Sequence, residues 1–285
     1  MSTKTLIPFI GLIITLLSSG CGNIAKKALH PQDTVGIAST QVTDNSSFKK
    51  SNGEQCKISI NANIAYPKAY KDSADTRKLQ QLFTTVLLDV PGDSVSLQDA
   101  MHEYAAAYLD QNAPTADDED VQNDESEGGD DYDAVSVVSY NATINITPIF
   151  NKDGILTFCK EEIIKKNNRV TLKTHHYYNI DLEAMAQIAV NRIFKSSSLN
   201  DVCQLMKDKL MSQNNVKSED ELNDLGYYNL PNLSVSNNFF FTDKGITWSF
   251  EPNELAINAI GEPQISLDFS SLKPYFLENS IINNL

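Results

Sequence analysis

Three closely spaced segments alternate apolar and polar side chains in the way that β-strands do. They span residues 135–150, 155–164 and 170–180. The step Asp153-Gly154 between the first two is typical of a tight hairpin, and strands this close in sequence pair antiparallel. Because amphipathic helical segments lie on both sides of these strands, the chain predicts an α+β fold, an antiparallel sheet with helices packed on it.

The remaining elements follow from the same two periodicities. Helices are predicted at residues 75–88, 96–111, 199–211 and 219–225. Ser96 is the expected N-cap of the second helix, with Asp99 three residues further on. Further strands are predicted at residues 57–66, 238–242, 246–251 and 264–269. An irregular or helical crossover at residues 252–259 lies between the last two.

The start of the chain resembles the signal peptide and lipobox of bacterial lipoproteins. Lys4 precedes a short apolar run at residues 6–17, and small residues lead to Cys21. In that family the cysteine is acylated and the chain is cut before it. We therefore expect a signal peptide at residues 1–20, a lipidated Cys21 and a polar tether at residues 21–51. An ordinary secretory signal with an incidental cysteine is the alternative.

The resemblance to a lipobox predicts a cell-envelope protein that is held to the membrane through acyl chains on Cys21. No acidic run follows the cysteine directly, which favours an outer-membrane protein that faces the periplasm. Thr34 lies in the motif Asp33-Thr34-Val35, which resembles the O-glycosylation sites of Bacteroidetes envelope proteins. It is the candidate acceptor in the predicted tether.

The charge of the chain is negative and unevenly spread. The net charge is −14, and much of the excess lies in residues 117–133. Dense like charge and a Gly-Gly pair predict a disordered acidic loop at residues 113–133. No register within it supplies the ligand pattern of an EF-hand calcium loop. Since no basic stripe is present either, a nucleic-acid partner is not expected.

Three cysteines remain after Cys21 is acylated. In an oxidising compartment, one disulfide and one buried thiol would account for them. Cys56 and Cys159 lie in or beside predicted strands and are the favoured pair, with Cys203 left over, although sequence alone leaves the pairing open.

The C-terminal part resembles the RsiV-like family of bacterial extracytoplasmic domains of unknown function. The resemblance is carried by FFFTDKGITWSFEPNELAINAIGEPQISLDFSSLKPYF at residues 239–276, by NIAYPKAYKD at 63–72 and by HYYNIDLE at 176–183. It implies an α+β domain at residues 52–278, with the acidic loop as an insertion, in a bacterial protein of Bacteroidetes type. Relatives in that family include anti-sigma factors whose outer domain binds lysozyme, and the common domain is not known as an enzyme.

The residues around the C-terminal crossover are the candidate binding residues. They are Trp248, Glu251, Asn253 and Glu254. His175 and His176 are adjacent on a strand and should point to opposite faces, so no metal site is predicted. The chain carries no nucleotide, cofactor or nucleophile motif.

Three functional hypotheses remain open at this point. The first is a non-catalytic module that binds an envelope polymer such as peptidoglycan, or a lysozyme-like protein, in a groove near residues 250–261. The second is a structural or assembly lipoprotein with a broad interface. The third and least favoured is an enzyme that modifies envelope polysaccharides, which requires carboxylates or histidines to converge in one pocket.

Overall fold

The computed structural model describes residues 34–49, 55–92, 95–112 and 137–284. The predictions for the signal peptide, for Cys21 and for the acidic loop lie outside these residues. Among the described residues, no helix is long and apolar enough to cross a membrane.

The described chain forms two sheets with helices packed on them, which confirms the predicted α+β class. The first sheet contains β1 Gly36–Lys49, β2 Gln55–Ala69, β3 Val137–Lys152, β4 Ile155–Lys166, β5 Arg169–Asp181 and β6 Ala186–Gln187 in that spatial order. The second contains β7 Phe239–Phe241, β8 Gly245–Ser249 and β9 Gln264–Asp268. The α-helices are α1 Ser73–Leu87, α2 Leu97–Gln111, α3 Leu199–Gln213, α4 Glu219–Asp224 and α5 Phe269–Leu272.

The β3–β4 hairpin and helix α2 form as their local sequences predict. Asp153 and Gly154 both have positive φ, 54° and 76°, which is the backbone of a tight hairpin turn. At the start of α2, Ser96 Oγ accepts a hydrogen bond from the backbone N–H of Asp99. Each case depends only on neighbouring residues.

The first sheet is not antiparallel throughout. Strands β2 and β3 pair in parallel, from Gln55 opposite Val137 to Ile64 opposite Ile146. A parallel pair needs a long crossover connection, and the chain between these strands contains α1 and α2. These helices and the sheet share one hydrophobic core, in which Phe83 and Phe158 contact edge to face at 5.2 Å.

The predicted tether at residues 21–51 is wrong for residues 36–49, which form β1 and pair with β2 along its whole length. The pattern was missed because β1 is an edge strand, with Val42 its single buried residue. Its backbone hydrogen bonds, rather than an apolar face, hold it in the sheet. The folded body therefore begins before residue 52. Thr34, the candidate glycosylation residue, is exposed just ahead of β1.

The favoured Cys56–Cys159 disulfide is also wrong, since these two buried cysteines lie at distant positions of the sheet. Cys56 lies opposite Val138 on β3, whereas Cys159 lies opposite Thr147. Those two positions are about 30 Å apart along an extended strand, and a disulfide needs Cα atoms within about 7 Å. Burial also raises the pKa of the Cys159 thiol to about 11, so its reactive thiolate is scarce at neutral pH.

The second sheet has its own hydrophobic core, formed with α3, α4 and the C-terminal segment. Its first strand, β7, lies against β5: the rings of Tyr177 and Phe240 are 4.5 Å apart, and Asn179 Nδ2 donates to the carbonyl of Phe239 at 2.7 Å. The second sheet therefore covers the C-terminal part of β5 and leaves its beginning exposed.

Candidate functional site

A cleft of about 490 Å³ lies between the start of β5 and the segment that connects β8 to β9. Residues 170–173 and His175 form one wall, and Asn253, Asn258 and Glu262 lie in the other. We call it the β5 cleft. Its volume is that of a typical small-ligand site, and the groove expected near residues 250–261 is present here.

The two walls are joined where Glu262 binds His175. One carboxylate oxygen of Glu262 accepts the backbone N–H of His175 at 2.9 Å, and the other contacts His175 Nδ1. These residues are 87 positions apart in sequence. Because both oxygens of one carboxylate bind one residue, Glu262 fixes the position of the connecting segment against β5.

A second carboxylate, Glu161 on β4, lies on the other side of the same histidine. Its oxygens accept hydrogen bonds from Asn145 Nδ2 at 2.8 Å and from Lys173 Nζ at 3.0 Å, and His175 Nε2 lies 3.4 Å away. The hydrogen bonds from Asn145 and Lys173 lower the pKa of Glu161. Glu161 is therefore ionised at neutral pH and is poorly suited to act as a general acid.

Adjacent residues on β4 and β5 point to opposite faces of the sheet, as the geometry of a β-strand predicts. Glu162 accepts a hydrogen bond from the Tyr108 hydroxyl of α2 at 2.5 Å, so it lies on the helical face. His176 approaches Glu251, with Nε2 3.6 Å from a carboxylate oxygen. His175 and His176 thus contact different carboxylates. Across the described residues, no group of three or more His, Cys, Asp and Glu side chains is arranged to hold a metal ion.

Side chains from the second sheet occupy the outer edge of β5. Asn238 Oδ1 accepts the N–H of Tyr177 at 3.0 Å, and its Nδ2 donates to the carbonyls of His175 and Ser249. Together, Glu262 and Asn238 bind the outward N–H groups of His175 and Tyr177 and the carbonyl of His175. Below that point the edge of β5 faces the cleft.

The four predicted binding residues have different positions. Trp248 is fully buried in the second core, 0% exposed, and packs near Phe194. Its ring cannot reach a ligand at the surface, so Trp248 is wrong as a binding residue. Asn253 lines the cleft. Glu251 and Glu254 lie beside it, and Glu254 Oε2 accepts the backbone N–H of Glu251 at 2.8 Å, which caps the loop.

Sequence reasoning missed the wall that β5 contributes. The strand carries exposed apolar side chains, with Val170 52% and Leu172 38% exposed. The local signal is the run KKNNRVTLK at residues 165–173, which holds four cations and no acid in a chain of net charge −14. Its position opposite residues 252–262 depends on tertiary contacts and cannot be read from the run itself.

Another cleft, of about 530 Å³, lies near Asp181, Arg192 and Ser280. Two of its charged side chains bind one another: Arg192 contacts Asp181 at 3.0 Å, and Asp181 Oδ1 also accepts the backbone N–H groups of Glu183 and Ala184. The Ser280 hydroxyl of this cleft is buried and has no hydrogen-bond partner among the described residues. In the β5 cleft, the side-chain amides of Asn253 and Asn258 make no hydrogen bond to any described residue, and they lie in the wall opposite an exposed strand edge. We therefore regard the β5 cleft as the candidate site.

Comparison with known proteins gives one family and two structural relatives. Residues 191–270 match DUF3298, a protein family of unknown function. No curated protein matches the chain. A crystal structure of a DUF3298 family member from Bacteroides fragilis is 17% identical, with a TM-score of 0.64, and the match covers 88% of this chain and 98% of that one.

A crystal structure of a DUF3298 family protein from Pseudomonas aeruginosa is 9% identical, with a TM-score of 0.53, over 86% of this chain and 96% of that one. The family match includes the connecting segment of the β5 cleft but not β5, whereas the two structural matches extend over most of the fold. Residues 191–270 are therefore similar to the DUF3298 family, and the fold is similar to that of two solved DUF3298 proteins.

Proposed function

We propose that the protein is a non-catalytic binding module of the cell envelope, anchored through acyl chains on Cys21, that holds its ligand in the β5 cleft. The observation that carries the proposal is the cleft itself, about 490 Å³. One wall is an exposed strand edge, and the other bears side-chain amides without described partners. Such groups bind ligands through hydrogen bonds without any chemical step.

The charged groups of the cleft favour binding over catalysis. Hydrolysis by paired carboxylates needs one acid whose pKa is raised so that it can donate a proton. Glu161 has its pKa lowered instead, and both oxygens of Glu262 are bound to His175. This arrangement holds the walls in place, which supports a binding role.

The same proposal includes the location of the protein in the cell envelope and its assignment to the RsiV-like family. The lipobox-like sequence before Cys21 supports lipid anchoring at a periplasm-facing outer membrane. The resemblance to the RsiV-like family and the lipobox-like sequence support an envelope protein of Bacteroidetes type. The ligand classes that follow are an envelope polymer such as peptidoglycan and a lysozyme-like protein.

The test is a binding assay on the purified, immobilised full chain. Solubilised peptidoglycan fragments, lysozyme and envelope proteins are passed over it, and retained material is titrated. We expect saturable binding that weakens roughly tenfold, or about 1.4 kcal/mol, in Asn258→Ala. The matched control is Asn200→Ala, an exposed amide on α3, which should bind like the parent chain.

Equal weakening by both substitutions would place the ligand outside the cleft. Binding that neither substitution affects would favour the assembly hypothesis, and retention of nothing would reject the binding module.

A further inference from the structure

We propose that the β5 cleft binds an acidic, extended polypeptide segment, which adds as a further strand to the outer edge of β5. This inference rests on the proposed binding function and names the chemical class of its ligand. Four properties of the cleft support this inference. They are the outward direction of the β5 backbone groups, the side-chain amides of the opposite wall, the positive charge at the start of β5 and the length of its open edge.

The backbone of β5 presents unused hydrogen-bonding groups to the cleft. The N–H groups of His175 and Tyr177 point outward, since they donate to Glu262 and Asn238. Successive residues of a strand alternate in direction, and the pairing of Lys173 with Ile163 continues that register without a shift. The N–H and C=O of Lys173 therefore point outward as well, and no described residue binds them.

The opposite wall supplies groups that suit a peptide backbone. The side-chain amides of Asn253 and Asn258 each carry a donor and an acceptor, and neither has a hydrogen-bond partner among the described residues. Val170 and Leu172 are exposed beside the edge and offer apolar contacts. An added strand can thus bind backbone groups on one side and amides on the other, with pockets for its side chains.

The charge of this end of β5 selects an acidic ligand. Lys165, Arg169 and Lys173 are exposed at or near the β4–β5 turn. Lys173 binds Glu161, whereas no ion pair is formed by Lys165 or Arg169 within the part of the chain that the structure describes. These two cations complement a negative segment, and such complementarity affects chiefly partner choice and association rate.

The open edge also limits the length of the ligand. Glu262 and Asn238 occupy the edge from His175 onward, and β5 begins at Arg169. The free stretch, residues 169–173, is about 16 Å long at the rise of a β-strand, and it contains a register shift in which Thr171 is the extra residue. A ligand strand of about five residues fills this stretch. A longer ligand must turn away from the edge of β5 where Glu262 binds His175.

The test uses fluorescence anisotropy with seven-residue labelled peptides and the full chain. One peptide alternates Glu and Val, a second alternates Lys and Val, and a third is the first with N-methyl groups on alternate backbone nitrogens. We expect the Glu-Val peptide to bind saturably and the other two at least tenfold more weakly. N-methylation removes backbone donors without altering the protein, so a loss cannot arise from misfolding.

Two protein variants test the position of the ligand. Arg169→Glu should weaken Glu-Val binding at least fivefold and increase its affinity for the Lys-Val peptide. Lys209→Glu, which makes the same charge change at an exposed position on α3, should do neither. Equal urea midpoints of the two variants show that folding is intact.

Several results would overturn the inference. Undiminished binding of the N-methylated peptide excludes strand addition, and an equal effect of Lys209→Glu excludes the end of β5. Retention of a peptide-free glycan fragment, lost in Asn258→Ala, with no peptide bound would overturn the peptide class and leave the proposed binding function standing. Failure of every probe and envelope fraction to bind would reject both.

Discussion

Asn238 connects β5 to the second sheet through hydrogen bonds, and replacing it tests how much these bonds stabilise the fold. Its amide makes three hydrogen bonds to backbone groups: it accepts from the N–H of Tyr177 at 3.0 Å and donates to the carbonyls of His175 at 3.0 Å and Ser249 at 3.1 Å. Asn238→Ala removes all three at once. The three backbone groups then lose their protein partner.

The expected cost follows from these contacts. A hydrogen bond contributes about 1 kcal/mol net, so three give about 3 kcal/mol. Because Asn238 is only partly buried, water can replace some of the lost bonds, and we expect a loss of about 2–3 kcal/mol. Urea unfolding at 25 °C should show a lower midpoint with an unchanged slope.

Two further variants serve as controls for the effect of Asn238→Ala on stability. Asn238→Asp keeps the acceptor for Tyr177 but turns a carboxylate oxygen towards two carbonyls, so it should destabilise to a similar degree. Asn258→Ala removes an exposed amide without a described partner and should change stability by less than about 0.5 kcal/mol. A loss below about 1 kcal/mol in Asn238→Ala would refute the view that this amide fastens the second sheet to β5.

Three further predictions concern buried and titrating groups. Since no disulfide joins any two of Cys56, Cys159 and Cys203, a reductant should leave the urea midpoint unchanged, and a fall would reveal a disulfide. The fluorescence of the buried Trp248 should resist quenching by iodide until the chain unfolds. The lowered pKa of Glu161 stabilises the fold above pH 4.5, the ordinary value for glutamate, and this contribution is lost as pH falls. Glu161→Gln should therefore destabilise more at pH 7 than at pH 3 in urea unfolding, and equal effects would contradict this.

The elements that the sequence predicts well are those determined by neighbouring residues. The turn at Asp153-Gly154 needs positive φ at two consecutive positions, which these residues tolerate. The N-terminus of α2 needs one side-chain oxygen, which Ser96 supplies. In both cases the stabilising interactions join residues that are a few positions apart, so the local sequence is enough to predict the element.

The elements that were missed depend on partners far away in sequence. Strand β1 has one buried side chain, Val42, and is held by its pairing with β2. The Cys56–Cys159 pairing looked plausible until the parallel β2–β3 register placed the two residues far apart. The burial of Trp248 likewise results from packing in the second core, because the same alternation also suits an exposed aromatic strand.

The cleft itself combines both kinds of information. Asn253 was predicted because it lies in the crossover at residues 250–261, where a groove was expected, whereas the opposite wall at residues 170–173 comes from a strand about 80 positions earlier. The contact between Glu262 and His175 brings these segments together. A pattern in one segment can therefore indicate half of such a site, and tertiary structure is needed to supply the other half.

The cations at the end of β5 also have an ordinary explanation. Charged residues on an exposed edge strand commonly prevent pairing with other chains. That role requires charge of either sign, so Arg169→Glu would preserve it, whereas binding of an acidic strand requires positive charge. Protection also gives no reason for a second wall with the amides of Asn253 and Asn258 facing the cleft. The reversal of peptide preference in Arg169→Glu therefore separates a recognition edge from a merely protected one.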